Sequence, residues 1–348
     1  MISKFAGRLS VLLLLLPALP VTVNAQSLDQ LGNRASAIGA FVAVADDASA
    51  VVWNPAGLVN GPIFNVLWDL GHSIVEPEAD VASATQPAGR VTGLFLAAGV
   101  APLGFSYGRT RFTEVGPRAD SGSGGPAAGA SSDRHIRQVV LRSLVTSHVG
   151  VTVLQSLADG VTVGATVKLI RGSVGSGGFG ASSWDDAFDR AETIEGHGRT
   201  TGDIDLGALV SRGHMRFGAV ARNLTAPRFD DGLDGPAMRL RRHVRAGGAW
   251  GDNWPGTSKL IVSVDADFTR VPHPTGDRRD MAAGVERWFR GTRLAVRGGV
   301  RASTVDDVRP IASAGGSLAV RRGMYVDVYG AKGAHEERRW GVSARLTY

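Results

Sequence analysis

The chain has 348 residues, 43% of them hydrophobic and 20% charged, with 47 glycines, 7% aromatics and no cysteine. That composition is too polar for a bundle of membrane helices, and without cysteine there is neither a disulfide framework nor a thiolate metal site. The net charge of +6 comes from basic residues interleaved with Asp and Glu. Nucleic acid is therefore not an expected partner, because holding a phosphate backbone takes a clustered basic face.

Residues 1–25 read as a signal peptide for export. Lys4 and Arg8 form its positive start, Val11 to Leu19 its apolar stretch, and Val23-Asn24-Ala25 a small-x-small cleavage site, so the mature chain is expected to begin at Gln26. The apolar stretch is too short, and too interrupted by Pro17 and Pro20, to span a membrane as a helix. No Cys follows the site, which excludes a lipoprotein anchor.

Residues 26–61 have a different texture. Leu28, Leu31, Ala35 and Ile38 recur at a loose helical spacing. Around them stand Arg34-Ala35, Gly39, Phe41-Val42-Ala43, Ala45-Asp46-Asp47, Ser49-Ala50 and Asn54-Pro55-Ala56-Gly57-Leu58. This string resembles the N-terminal signature shared by the FadL-type long-chain fatty acid transporters and the PorV/PorQ outer-membrane proteins. It departs from many relatives at Ala40, where they carry a second Gly. The resemblance implies a fourteen-stranded barrel whose N-terminal segment folds inward as a plug, or hatch. It also puts Asn54, Pro55, Ala56 and Gly57 in that hatch, as a candidate gate, and makes Gly39, Asp46, Asp47 and Ser49 its signature positions. The residues themselves agree with a non-strand element. Pro55 cannot donate to a ladder and restricts Asn54, whose side chain can bond its own backbone in a tight turn. Gly57 is expected to permit close approach to the barrel wall. The plainer reading of Asn54–Leu58 is a turn leading into the first strand.

From residue 62 onward the chain alternates with period two in segments of about ten residues, the length that crosses a membrane at a tilt. In Ser258–Phe268, Leu260, Val262, Val264, Ala266 and Phe268 share one face, and Lys259, Ser263, Asp265 and Asp267 the other. Trp340–Tyr348 alternates in the same way and ends on an aromatic residue, which resembles the C-terminal signal read by the barrel-assembly machinery. About fourteen such segments alternate short with long connections. The long ones include residues 73–90, 113–135 and 172–199, and the Gly/Ser/Ala-rich runs Ser121–Ser132 and Gly172–Ser183 are expected to be mobile loops. The fold class is therefore all-β, a transmembrane antiparallel barrel over residues 62–348 in a bacterial outer membrane, with its apolar face toward outer-membrane lipid.

The opposite face is charged. Asp203 and Asp205 are expected to face Arg216 and Arg222. Arg239, Arg241, His243 and Arg245 are expected to share one face beside Asp265 and Asp267, followed by Arg293 and Arg297. Such neighbours pair otherwise buried charge, or they present a surface to an anionic group. Phe41, Val44, Val51, Val52 and Trp53, or the loop residues Phe179, Trp184 and Phe188, are candidates for completing an apolar pocket. Asp185, Asp186, Asp189 and Glu192 cluster in one loop; the plain reading is a solvated acidic surface. No Ser/His/Asp set shares a lumenal face and no His-x-x-x-His occurs, so no catalytic residue, cofactor or metal is expected. The leading function is transport of hydrophobic small molecules such as long-chain fatty acids. The alternative is a barrel that docks secretion-machinery proteins.

Overall fold

The computed structural model describes residues 23–24, 31–77, 79, 81, 86–117, 137–194, 196–230, 237–254, 259–271, 273, 276–289, 293–306, 308–334 and 336–348. The signal segment, apart from Val23–Asn24, lies outside them, as does Ser121–Ser132.

In chain order the elements begin with β1 (Val23–Asn24), α1 (Asn33–Ile38), α2 (Ala50–Trp53) and a 3-10 turn (Pro55–Asn60). The first half of the barrel follows: β2 (Asn65–Val75), β3 (Ala88–Val100), β4 (Leu103–Pro117), β5 (Arg137–Ala158) and β6 (Val161–Ala181). Next come α3 (Trp184–Glu192), β7 (His197–Arg212) and β8 (Met215–Arg222), then the short β9 (Arg228–Phe229) and β10 (Met238–Arg239). The remaining strands are β11 (His243–Gly251), β12 (Leu260–Asp267), β13 (Asp280–Phe289), β14 (Leu294–Ser303), β15 (Ile311–Arg321), β16 (Met324–Gly333) and β17 (Arg338–Thr347).

β2–β8 and β11–β17 form one closed antiparallel barrel of fourteen strands. β17 closes it against β2, with Thr347 opposite Asn65 and Arg338 opposite Ile74. Closure leaves no unpaired edge, which a hydrocarbon surrounding would not tolerate. The expected alternation appears inside out relative to a soluble sheet. On β12, Val262 and Val264 are exposed while Ser263, Asp265 and Asp267 are buried. On β17, Trp340, Val342 and Leu346 are exposed while Ser343 and Arg345 are buried. An apolar outer face and a polar inner one suit a barrel solvated by lipid.

One expectation changes. Gly172–Ser183 is strand as far as Ala181, paired residue for residue with β5 from Arg137↔Ala181 onward. β5 and β6 run 22 and 21 residues, about twice a membrane crossing. They rise beyond it as a hairpin in which Val140 and Leu141, opposite Gly178 and Gly177, supply the side chains that the glycines lack. α3 packs on this extension through Ala187, Phe188 and Ala191 against Val115, Val139 and Leu141. The acidic residues around it face arginines. Arg90 reaches Asp185 at 3.1 Å and Asp189 at 3.7 Å, Arg190 reaches Asp186 at 2.8 Å, and Arg111 reaches Glu192 at 3.9 Å. Among the described residues no group of acidic and His side chains is arranged to hold a metal.

Candidate functional site

Residues 31–58 are almost wholly buried, their surroundings being the inner wall of the barrel. Leu31, Ala35, Ile38, Phe41, Val44, Val51, Val52, Trp53 and Leu58 form an apolar core that extends to Leu67, Phe95 and Ile261 on the wall. Trp53 stands at its centre. Its indole donates to the Leu31 carbonyl at 2.7 Å, Phe41 meets it edge-on at 6.0 Å, and the Arg222 and Arg245 guanidinium groups each lie 5.5 Å from its ring. Such cation–aromatic contacts let buried arginines rest against an apolar core.

The signature residues meet at one ion network. Arg34 donates from Nε and Nη2 to the two carboxylate oxygens of Glu286 on β13, both at 2.8 Å, and from Nη1 to Asp46 and to Asp47 at 3.2 Å. Asp47 also accepts from the Ser49 backbone at 2.9 Å and holds the turn into α2. Glu286 accepts from Arg297 on β14, and Arg297 reaches Asp327 on β16 at 3.4 Å. Arg345 on β17 donates to Asp327 at 3.1 and 3.2 Å and lies 3.9 Å from Asp47. Buried charges persist only when paired and hydrogen-bonded. Here Arg34–Asp46 and Arg34–Asp47 hold the plug together, Arg34–Glu286 and Arg345–Asp47 tie it to the wall, and the remaining pairs link wall strands.

Backbone groups of the plug are met one by one. Asp69 on β2 accepts from the amides of Gly32 (3.2 Å) and Asn33 (2.7 Å), the start of α1. Asp265 accepts from the Phe41 and Val42 amides at 2.7 and 3.1 Å. Ser263, Ser313 and Thr166 donate to the carbonyls of Ala40, Ala37 and Val51. Gly39, at φ +79°, ends α1 in a conformation that a side chain would strain.

Asn54 fixes the second turn. Its Oδ1 accepts from the Ala56 amide at 3.2 Å, while its Nδ2 donates to Val42 at 2.9 Å and to Ala208 of β7 at 3.0 Å. Pro55 opens the 3-10 turn, where its lack of an N–H costs nothing. Gly57 differs from expectation, because it approaches the plug itself and not the wall: a Cβ there would fall 2.1 Å from the Ala45 carbonyl oxygen. The wall supplies glycines of its own. A Cβ on Gly284 or Gly299 would lie 2.0 or 2.1 Å from the Ile38 carbonyl oxygen, one on Gly218 2.6 Å from that of Val42, and one on Gly164 2.6 Å from the Ala56 nitrogen.

Of the charged residues expected in the lumen, Asp203, Asp205, His243, Arg245, Asp265, Asp267 and Arg297 are buried there. Arg245 donates to Asp267 at 2.5 and 3.1 Å, and His243 Nε2 lies 2.8 Å from it, the cross-strand pairing that alternation suggests. Arg239, Arg241 and Arg293 are exposed. β11 begins only at His243, so Arg239 and Arg241 belong to the excursion before it, and Arg293 sits in the turn before β14. The expected pairing of Asp203 and Asp205 also changes. Lys168 on β6 lies 2.9 Å from Asp203 and donates to Asp205 at 2.8 Å and to Asn223 at 3.2 Å. Arg216 instead lays its guanidinium 3.4 Å from the Trp254 ring centre. Arg34 stands in the signature string and Glu286 continues the alternating lumenal set, whereas nothing local marks Lys168 or Asp69 as a functional position.

Beside the plug is an apolar compartment. Val91, Phe112, Leu144, Ile170 and Val174 of the wall pack with Phe229, Met238 and Leu240 of the β8–β11 excursion. Between this cluster and α2 a cavity of about 20 Å³ is lined by Val51, Val52, Ile170 and Leu240, with Lys168 and His148 at its polar side. That is space for little more than one water.

The closed fourteen-stranded barrel with residues 31–58 packed inside it shares its fold with solved transporters. The Pseudomonas putida toluene transporter TodX superposes with a TM-score of 0.58 at 14% identity, over 92% of this chain and 99% of that one. A TodX monoaromatic hydrocarbon channel deltaS2 mutant gives 0.58 at 12% identity, over 92% and 98%. A Pseudomonas aeruginosa FadL homologue gives 0.54 at 10% identity, over 91% and 98%. By sequence, residues 73–267 match the family described as "F plasmid transfer operon, TraF, protein", and the chain belongs to that family. No curated protein matches it.

Proposed function

We propose that this protein is an outer-membrane channel that admits hydrophobic small molecules such as long-chain fatty acids, with residues 26–61 as its hatch. The observation that carries the reading is the apolar compartment whose floor is the plug (Val51, Val52) and whose side is the β8–β11 excursion (Leu240). A general diffusion pore needs an open aqueous lumen. A path for apolar solutes needs a dry site that opens when one wall moves. The solved barrels that it resembles in fold are a toluene transporter and a monoaromatic hydrocarbon channel. Lys168, matched by two carboxylates, is not the anchor for a substrate carboxylate, so recognition here rests on apolar contact. Export by the signal peptide, assembly by the barrel-assembly machinery and a surrounding of outer-membrane lipid complete the reading.

The test is uptake of labelled toluene and of a labelled long-chain fatty acid by proteoliposomes carrying the mature barrel. Val52→Trp and Leu240→Trp should fill the compartment and abolish uptake, while the barrel keeps the unboiled gel mobility of the folded form. A folded wild-type barrel that passes neither solute would refute the transport reading. The secretion-docking role would then be pursued through protein partners.

A further inference from the structure

The β8–β11 excursion has a second face. In the β9–β10 ribbon, Phe229 pairs with Met238 and Arg239 with Arg228. Phe229 and Met238 are fully buried in the lumenal apolar cluster. The alternate face, carrying both arginines, therefore points away from the lumen, and both are exposed. Like charges directly opposite each other on paired strands repel unless an anion lies between them.

Next to this pair is an open cleft of about 450 Å³, lined by Ala226, Arg239, Arg241, Arg242, Thr269 and Arg270. Arg242 donates from Nε to the Leu224 carbonyl at 2.7 Å, and Arg239 from Nε to that of Ala226 at 3.3 Å. Both guanidinium groups are thus pinned by one edge to the same turn, with their terminal nitrogens free to meet a ligand. Thr269 accepts from the Val244 amide at 3.0 Å, which orients its hydroxyl. Among the described residues no carboxylate lines the cleft, and none pairs with Arg228, Arg239, Arg242 or Arg270. Arginine forks held in fixed orientation match phosphate oxygens in geometry and charge.

The cleft's place says where that phosphate comes from. Thr269 and Arg270 follow β12 directly. Phe268, joined to β11 through its amide to the Val244 carbonyl at 2.8 Å, is 67% exposed on the lipid-facing side, in line with Val264 and Val262. An outward aromatic at the end of a lipid-facing strand marks the membrane boundary, and the arginines stand one step beyond it, at headgroup height.

The geometry points to a binding site for a phosphate-bearing lipid headgroup of the outer leaflet, formed by Arg228, Arg239, Arg242, Arg270 and Thr269 at the rim above β11 and β12. It is separate from the lumenal path. The test uses the mature barrel reconstituted in phosphatidylcholine vesicles with a minor fraction of phosphatidic acid, then extracted and weighed intact by native mass spectrometry. Wild type should retain phosphatidic acid in preference to phosphatidylcholine. The variant R239Q/R242Q/R270Q should retain it about tenfold less, while R321Q/R322Q at the opposite rim should match wild type. All three substituted residues in the first variant are exposed, and unboiled gel mobility checks that it folds. Equal retention by wild type and R239Q/R242Q/R270Q overturns the proposal. So does displacement of the lipid by an equal concentration of glycerol phosphate, which would make the site one for soluble phosphates.

Discussion

Replacing Glu286 with Gln removes the one wall carboxylate shared by the plug and its neighbour strand. In the native arrangement that carboxylate receives two hydrogen bonds from Arg34, one from Arg297 and one at 2.9 Å from the Trp288 indole. Glutamine keeps one acceptor but turns an N–H2 group toward two guanidinium groups and removes one of the carboxylates that offset their charge. Removing one partner of a buried pair costs about 3–5 kcal/mol. Here the lower end applies, because Arg34 keeps Asp46 and Asp47 within the plug and Arg297 keeps Asp327. Those retained contacts also decide where the cost falls. The plug stays internally satisfied and the barrel stays laddered, while the tie between them weakens. At ~3 kcal/mol, the ratio of docked to undocked plug falls by about two powers of ten. In planar bilayers, wild-type barrels should be closed and E286Q barrels should show ion-conducting openings, with protease reaching residues 31–61. E286D, which keeps the charge, should lie between. A folded E286Q barrel with wild-type conductance and protection would refute the view that Glu286 holds the plug.

Other substitutions probe the same seat. Asn54→Ala removes three hydrogen bonds of the second turn, so it should weaken plug docking by about 1–3 kcal/mol and raise protease cleavage near Ala56 without altering barrel mobility on gels; failure to assemble at all would leave Asn54–Pro55–Ala56 as a structural turn rather than a gate. Gly284→Ala puts a methyl group 2.0 Å from the Ile38 carbonyl oxygen and should cost about 1–3 kcal/mol, read as increased conductance, whereas Gly330→Ala, with no atom nearer than 3.9 Å, should be silent. In the external loops, burial pushes the Glu337 carboxyl up, but Arg339, His273 and Arg278 outweigh it and hold it well below its ordinary 4.5. The stabilisation it contributes is therefore complete above about pH 4.5 and is lost as pH falls through the depressed folded value. Hydrogen exchange at residues 276–278 and 336–337 should stay slow from neutral pH to that point and quicken only below it, while Glu337→Gln should exchange quickly at neutral pH already.

Much of the architecture is written locally in the chain. Strands such as β12 and β17 sit between lipid and a polar lumen, so both faces are constrained and the alternation reads cleanly. Where β5 and β6 rise beyond the membrane, outward positions need not be apolar, the pattern dissolves into Gly and Ser, and the segment reads as a loop. The same weakness displaced Arg239 and Arg241. Four basic residues at even spacing continue a strand on paper, but the backbone leaves the ladder at His243. At the candidate site, Arg34, Asp46, Asp47 and Ser49 stand in a long local string, whereas Glu286, which pairs with Arg34, and Arg345, which lies near Asp47, are more than two hundred residues away. No local pattern tells a lumenal carboxylate that meets the plug from one that only pairs along the wall. Lys168 shows the limit clearly, a single lysine in an apolar strand whose two Asp partners are known only once β6 and β7 are in register.

The glycines on the inner wall bear on how far plug and barrel can be exchanged between relatives. Gly164, Gly218, Gly284 and Gly299 lie on four strands, and at each the nearest atom to an added Cβ is a main-chain atom of the plug. These four glycines are thus a cast of the plug's backbone path, while Gly104, Gly207 and Gly341 are fitted to the side chains of Leu58, Asn54 and Asn33. Grafting a relative's hatch should succeed when its main chain follows the same curve, even with a different Phe41 or Trp53, and should fail when one residue is inserted or deleted between Ile38 and Ala56. In this barrel the spacing of the hatch, more than its composition, is what the other three hundred residues hold in memory.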